Sequence, residues 1–208
     1  MPDNYSLLTQ KISSIIRSRR TIKPSLYSGT PCPTEVRELI DTARHAPNHH
    51  RTEPARFYLL DAPRIQKVGQ LFGEVIRAEG PDDSLVKKAK KKEEEWGKAP
   101  GLIVVTCHSD PSSYLGQKHP ELFLEDFATV SCICQNLLLL FESASISAKW
   151  STGPVWKHRA FPSTIKMQNP EIEKVVGLIF YGYSSIKGEL RNLTSLETHL
   201  VDHSNVQT

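Results

Sequence analysis

Glycine is sparse in this chain, 11 in 208 residues, and none of it forms Gly-x-Gly-x-x-Gly behind an apolar run. Without that turn, a Rossmann-type dinucleotide site has no support. A P-loop, a Gly-x-Ser-x-Gly elbow and the kinase elements are missing too, which removes the commonest phosphate-cradling and serine-hydrolase patterns. Cysteine is limited to Cys32, Cys107, Cys132 and Cys134. Their closest pair is C-x-C, not the C-x-x-C of redox or zinc motifs, so reduced thiols packed in a core are expected. No basic-then-apolar leader opens MPDNYSLLTQK, and no apolar stretch reaches ~18 residues, so the expected location is cytoplasmic, with no membrane partner. Asn192-Leu-Thr matches a glycosylation sequon, which a cytoplasmic chain would not use. Strong charge is lacking as well. A net +3 could help attract an anionic cofactor but falls far short of the basic stripe of nucleic-acid binders.

What remains is the composition of an ordinary folded protein, 38% apolar and 24% charged, long enough for one sizeable core. Leu7, Leu8, Ile12, Ile15 and Ile16 recur at helical spacing and predict an amphipathic helix over 4–18, which Pro24 prevents from continuing. A second helix begins near Pro33 and Thr34, carries Val36, Leu39, Ile40 and Ala43 on one face, and stops before Pro47. The stretch 55–61 reads as a short buried strand, and Ile65, Val68, Leu71, Phe72, Val75 and Ile76 mark a third helix. SLVKKAKKKEEEWGKAP neutralises its own charge and reads as a solvated helix. GLIVVTC (101–107) and VVGLIFYGY (175–183) are central strands, HSDPSSYLGQKHP is a loop, and 121–148 is a long, mostly buried helix. The order α, α, β, α, α, β, long α, β predicts one domain over 1–208, of mixed α/β class, with helices on both faces of a small sheet.

Two stretches carry chemistry. HAPNHHRTEPARFYLL (45–60) offers His45, His49, His50 and Glu53. His45 and His49 are four apart, but Pro47 breaks any helix between them, and Ala46 stands where a helical zinc signature needs glutamate. Spacing alone therefore yields no metal signature. The second stretch places Arg19, Arg20 and Lys23 around Thr21 where the first helix ends. Guanidinium groups bind phosphate oxygens bidentately and a hydroxyl adds a bond, although basic residues at a helix end also serve its last carbonyls.

RRTIKP after an opening helix resembles the RRS-x-R/K element of the FMN-dependent nitroreductase family. ARHAPNHHRTEPARFYLL is similar to that family's A-x-x-AP-S-x-x-N-x-QPW-x-F element, and EDFATVSCICQNLLLLFESASISAKWSTG to its long central helix with the strand and loop that follow. VVGLIFYGYSS…LRNLTSLE resembles its last strand and tail. The four matches run in family order over roughly residues 5–197, and the AP-x-H-H variant looks most like the short, minimal members.

The resemblance implies a three-layer sandwich with a small mixed sheet, and an intertwined homodimer with two interface sites for FMN, each built from both chains. It implies that Arg19 and Thr21 hold the phosphate and ribityl chain, with Arg20 helping through backbone or charge. Lys23 would sit at the pyrimidine edge, where two-electron reduction leaves negative charge for an ammonium to stabilise. His45 and His49 would reach the partner's flavin. Trp150, Ser151, Thr152 and Gly153 would line the ring, and Arg191 matches a tail arginine that binds phosphate in longer relatives. The implied reaction is ping-pong: NAD(P)H passes hydride to flavin N5, then an acceptor such as a nitroaromatic or quinone takes it. No catalytic side chain is implied, because the flavin carries the chemistry. Departures are SISAK where the family has a glycine-rich bend, Asn48 for a small or acidic residue, and Glu53 and Ala55 for the Gln and Trp of QPW. Two rivals are a flavin-binding or sensing module without efficient turnover, and a metal-dependent hydrolase using His45, His49, His50 and Glu53.

Overall fold

A computed structural model describes residues 6–204. Helix α1 (Leu7–Ser18) begins at Ser6, whose side chain accepts a bond from the Thr9 amide; residues 4 and 5 of the expected helix lie outside the described range. Then come α2 (Pro33–Ala43), β1 (Ala55–Leu59), α3 (Ala62–Arg77), α4 (Asp83–Gly97), β2 (Gly101–His108), α5 (Tyr114–Lys118), α6 (Leu122–Ser143), β3 (Ser147–Ser151), α7 (Phe161–Ile165) and β4 (Glu173–Gly182). The four strands stand in the order β1-β2-β4-β3, and each neighbouring pair is antiparallel. The sheet, expected to be mixed, is thus antiparallel, and among the described residues parallel pairing occurs only as an isolated bridge between Thr21 and Ala148.

Both sheet faces are covered, which is why β2 and β4 read as continuous apolar runs. Ile103, Val105 and Cys107 of β2 join Ile179 and Tyr181 of β4 under α2 and α6. Leu102, Val104, Leu178 and Phe180 point the other way, into a second cluster with Val68, Leu71, Phe72 and Trp96 from α3 and α4. Gly69 lets those two helices touch backbone to backbone: a Cβ there would lie 2.6 Å from the Gly97 nitrogen and 2.7 Å from the Glu93 carbonyl oxygen.

Three further expectations need correction. The long helix ends at Ser143, and 147–151 is a strand. Ser145 takes φ 59° just past the helix end, the left-handed position that glycine usually fills, so no stop signal was visible. The expected loop 108–120 holds α5, capped by Ser113. Cys107 and Cys134 are buried, their thiols pushed up to about 12 by burial, with Asp126 adding to the effect at Cys107. Cys32 and Cys132 are exposed instead of core-packed. By length and composition alone α6 could cross a bilayer, with a mean hydropathy of 1.4 over its most apolar window. In the fold it is a core helix, fastened by Asn136 to the Ala43 carbonyl and by buried Asp126 to Thr52 and Ser109.

Candidate functional site

The residues singled out from sequence fall into two groups. The first lies beside β3. Thr21 bridges Ala148, the Ile22 amide donates to the Ala148 carbonyl at 3.3 Å, and this backbone pairing lays 19–23 along the strand that carries Trp150 and Ser151. Thr21 and Lys23 are exposed and Arg19 is half-buried. Among the described residues, the side chains of Arg19 and Lys23 have no acidic partner. Arg20 is spent differently: its Nε donates to the Glu189 carbonyl, its Nη1 to the Arg19 carbonyl at 2.6 Å, and Gly188 packs on its stem. It thereby fixes the start of the tail that carries the exposed Arg191. Trp150 turns its indole into the sheet, donating to the Val176 carbonyl at 3.3 Å over Gly177. Thr152 is exposed, and Gly153 is wedged so tightly that a Cβ would lie 3.0 Å from Trp96 and 3.2 Å from Phe72.

Beneath β3 lies a network that sequence did not disclose. Glu95 of α4 is 8% exposed and binds Lys92 at 2.7 Å and Lys149 at 3.5 Å. Burial acts to raise its carboxyl, yet the Lys92 hydrogen bond and the charges of Lys149 and Lys92 outweigh it and hold the group below its ordinary value. Lys149 is also lowered. Burial comes first, and the like charges of Lys92 and Lys23 add to it against the attraction of Glu95. The two shifts are compatible, since Glu95 has two cations to itself while Lys149 shares one carboxylate. The outcome is a cationic end with a partly compensated interior. Trp96, 2% exposed, leaves its buried indole N–H without an acceptor among the described residues.

The second group is the histidine loop. His45 follows α2 and lines a cleft of about 930 Å³ with Arg44, Arg51, Glu53, Phe57 and Thr129. His49 points away from that cleft, its Nδ1 3.0 Å from Glu125 Oε2 on α6, and His50 Nε2 is 4.0 Å from the same oxygen. Glu53 pairs with Arg44 at 3.4 Å. The four residues of the hydrolase reading are therefore not gathered around one point. The loop is anchored by Asn48, which accepts from the Glu53 amide and donates to Thr52, by Thr52 donating to Asp126, and by Thr129 donating to the Pro47 carbonyl. Glu125 and Asp126 went unnoticed in the sequence because they lie more than 70 positions from the loop they hold.

Contacts from the two groups and their neighbours are spread along α6, with Ala43, two residues before His45, held near its middle by Asn136. Ser18 donates to Glu142 near the C-terminal end, and His49 meets Glu125 near the N-terminal end. Those glutamates are separated along the helix by about 25 Å at 1.5 Å per residue.

The model of the nitroreductase family matches residues 16–183, most of the chain and both groups up to β4. The chain belongs to the nitroreductase family. It is 26% identical over 193 residues to YfhC of Bacillus subtilis, a provisionally named NAD(P)H nitroreductase, covering 92% of this chain and 93% of that one. Its fold is similar to a nitroreductase-like protein from Bacillus cereus at TM-score 0.75 and 21% identity, covering 98% and 99% of the two chains. It also resembles a nitroreductase from Bacteroides fragilis solved with bound FMN, at TM-score 0.64, 17% identity and 95% and 98% coverage. The departures of this nitroreductase-family chain from the family's pattern now have places in the fold. SISAK spans the α6–β3 junction, with Ser145 taking the left-handed conformation and Lys149 meeting Glu95. In TEPA, Thr52 and Glu53 are occupied with Asp126 and Arg44.

Proposed function

We propose that this nitroreductase-family protein is an FMN-dependent oxidoreductase that consumes NAD(P)H and acts as a cytoplasmic homodimer, each flavin site being assembled from two chains. The observation that carries this reading is the match of the family model over residues 16–183, which takes in residues 19–23, the histidine loop and residues 150–153, while within one chain His49 pairs with Glu125 of α6. On this reading a partner supplies the histidine side of each site. Independent support comes from α1, which buries none of its residues and leaves Leu7 68%, Leu8 66%, Ile12 48% and Ile16 51% exposed. An apolar stripe of that kind calls for a covering surface.

The residues present fit the flavin. Among the described residues Arg19 and Lys23 are cations without acidic partners, suited to a phosphate and to an electron-rich ring edge. A Cβ on Gly153 would crowd Trp96 and Phe72, so glycine lets the 150–153 backbone pack closely on the core beside exposed Thr152. When bound, FMN supplies the centre that accepts hydride from NAD(P)H and returns it to an oxidised acceptor such as a nitroaromatic or quinone. Arg19 and Thr21 would hold the phosphate and ribityl end, with Arg191 brought to the same side by the Arg20–Glu189 bond. Lys23 would place its ammonium where reduction deposits negative charge. Residues 150–153 would line the ring through their backbone, and His45 and His49 would reach it from the other subunit. The names of YfhC and of the FMN-bound relative support the cofactor and the reductant. The test is the visible spectrum of purified protein before and after anaerobic NADH or NADPH. About one FMN per chain, bleached by the nucleotide, is expected; a colourless monomer that takes up no added FMN would overturn the proposal.

A further inference from the structure

We infer that His49, His50 and Glu125 form a binding site for one divalent cation of the zinc type, with His119 at its margin. One ligand atom from each of the three lies within 4.8 Å of the others. Around tetrahedral zinc with bonds of 2.0–2.2 Å, ligand atoms stand about 3.4 Å apart. The distances to Glu125 Oε2, 3.0 Å from His49 and 4.0 Å from His50, bracket that value. Two imidazoles and one carboxylate suit zinc, nickel or copper, whereas magnesium and calcium favour all-oxygen shells.

The backbone explains how adjacent histidines come to lie side by side within reach of Glu125, from where a turn of the stacked rings about their side-chain bonds would aim both nitrogens at one ion. Successive side chains ordinarily diverge, by about 100° around a helix or to opposite faces of a strand. His50 has φ 59° and ψ 1°, and this left-handed turn brings its ring onto that of His49, with centroids 4.0 Å apart and planes 22° from parallel. Arg51 and Glu53 are left-handed as well, so the loop carries strain that its bonds to Asn48, Asp126 and Thr129 hold in place. His119, which follows α5, lays its ring 4.4 Å from that of His50 and can orient it or complete the shell. His49 would ligate through Nδ1, leaving Nε2 for the flavin, so the cation site and the proposed cofactor site are compatible.

The test is calorimetric titration of untagged, EDTA-treated and dialysed protein with zinc chloride. The variants are Glu125→Gln, which keeps the side chain's size, and His50→Asn, because asparagine tolerates the left-handed conformation. One zinc per chain is expected, with affinity at least tenfold weaker in each variant at unchanged melting temperature. The double variant Cys32→Ser/Cys132→Ser should bind as wild type does. Absence of stoichiometric binding, wild-type affinity in Glu125→Gln or His50→Asn, or loss of binding in the cysteine variant would overturn the inference. FMN content is measured separately, so a failed zinc site and a failed flavin assignment give different results.

Discussion

Replacing Asp126 by alanine should release the histidine loop from α6. The carboxylate is 2% exposed and accepts from Thr52 on one oxygen and from Ser109 at 2.7 Å on the other. Alanine removes both acceptors and leaves buried Ser109 without its partner. Each charge-assisted bond contributes about 1.5–3 kcal/mol, and relief from burying a carboxylate offsets part of the loss, so a net destabilisation of roughly 2–4 kcal/mol is expected. The local effect should be larger than the global one. His50, Arg51 and Glu53 each hold a left-handed conformation that costs about 1–2 kcal/mol, and they keep it only while the loop is tied down. Urea unfolding should report the first effect, and FMN titration well below the unfolding transition should report the second as a several-fold weaker affinity. Asp126→Asn retains one acceptor and should fall between wild type and alanine. A stability change under about 0.5 kcal/mol in Asp126→Ala would show that this network does not anchor the loop.

Arg19→Ala should weaken FMN binding roughly ten- to a hundredfold, as loss of a charge-assisted bond requires, while Lys23→Ala should chiefly shift the flavin's potential; fluorescence titration and spectroelectrochemistry separate the two. Gly153→Ala forces a methyl to 3.0 Å from Trp96 and 3.2 Å from Phe72, and thermal melts should show an overpacking loss of about 1–3 kcal/mol. Glu95 has a folded-state carboxyl below its ordinary 4.5. Its contribution is therefore fully present above that value and lost as pH falls through the lower folded one. Urea midpoints between pH 7 and pH 3 should fall less steeply in Glu95→Gln than in wild type, and parallel curves would count against the pairing.

Much of the scaffold was legible because the sheet is covered on both faces. Continuous apolar runs at 101–107 and 175–183 can only be central strands in such an arrangement, and the periodic helices 7–18, 33–43 and 62–77 each follow one apolar stripe. The α6–β3 junction was not legible, because serine stands where a helix normally ends on glycine. The phosphate-side candidates could be proposed from local sequence, since Arg19, Arg20, Thr21 and Lys23 are neighbours in the chain. Their setting could not. Glu95 sits in a lysine–glutamate run that reads as a solvated face, yet it turns inward beside Trp96 to meet Lys149 on β3. The histidine loop was read for the residues it contains, whereas its geometry is set by Glu125 and Asp126 on a distant helix. His45 lines the cleft while His49 meets α6, and the left-handed turn at His50 is a conformation no spacing rule assigns to histidine.

The shared flavin site is tested most directly by mixing two crippled chains. One carries Arg19→Ala/Thr21→Ala, the other His45→Ala/His49→Ala, and the heterodimer is isolated through two different tags and titrated with FMN. If each site takes its phosphate side from one chain and its histidine loop from the other, the heterodimer contains one site with every defect and one with none. Half of its sites should then bind FMN with wild-type affinity, although neither parental homodimer does. A heterodimer without any wild-type class of sites would place both groups on the same chain's flavin and contradict the account.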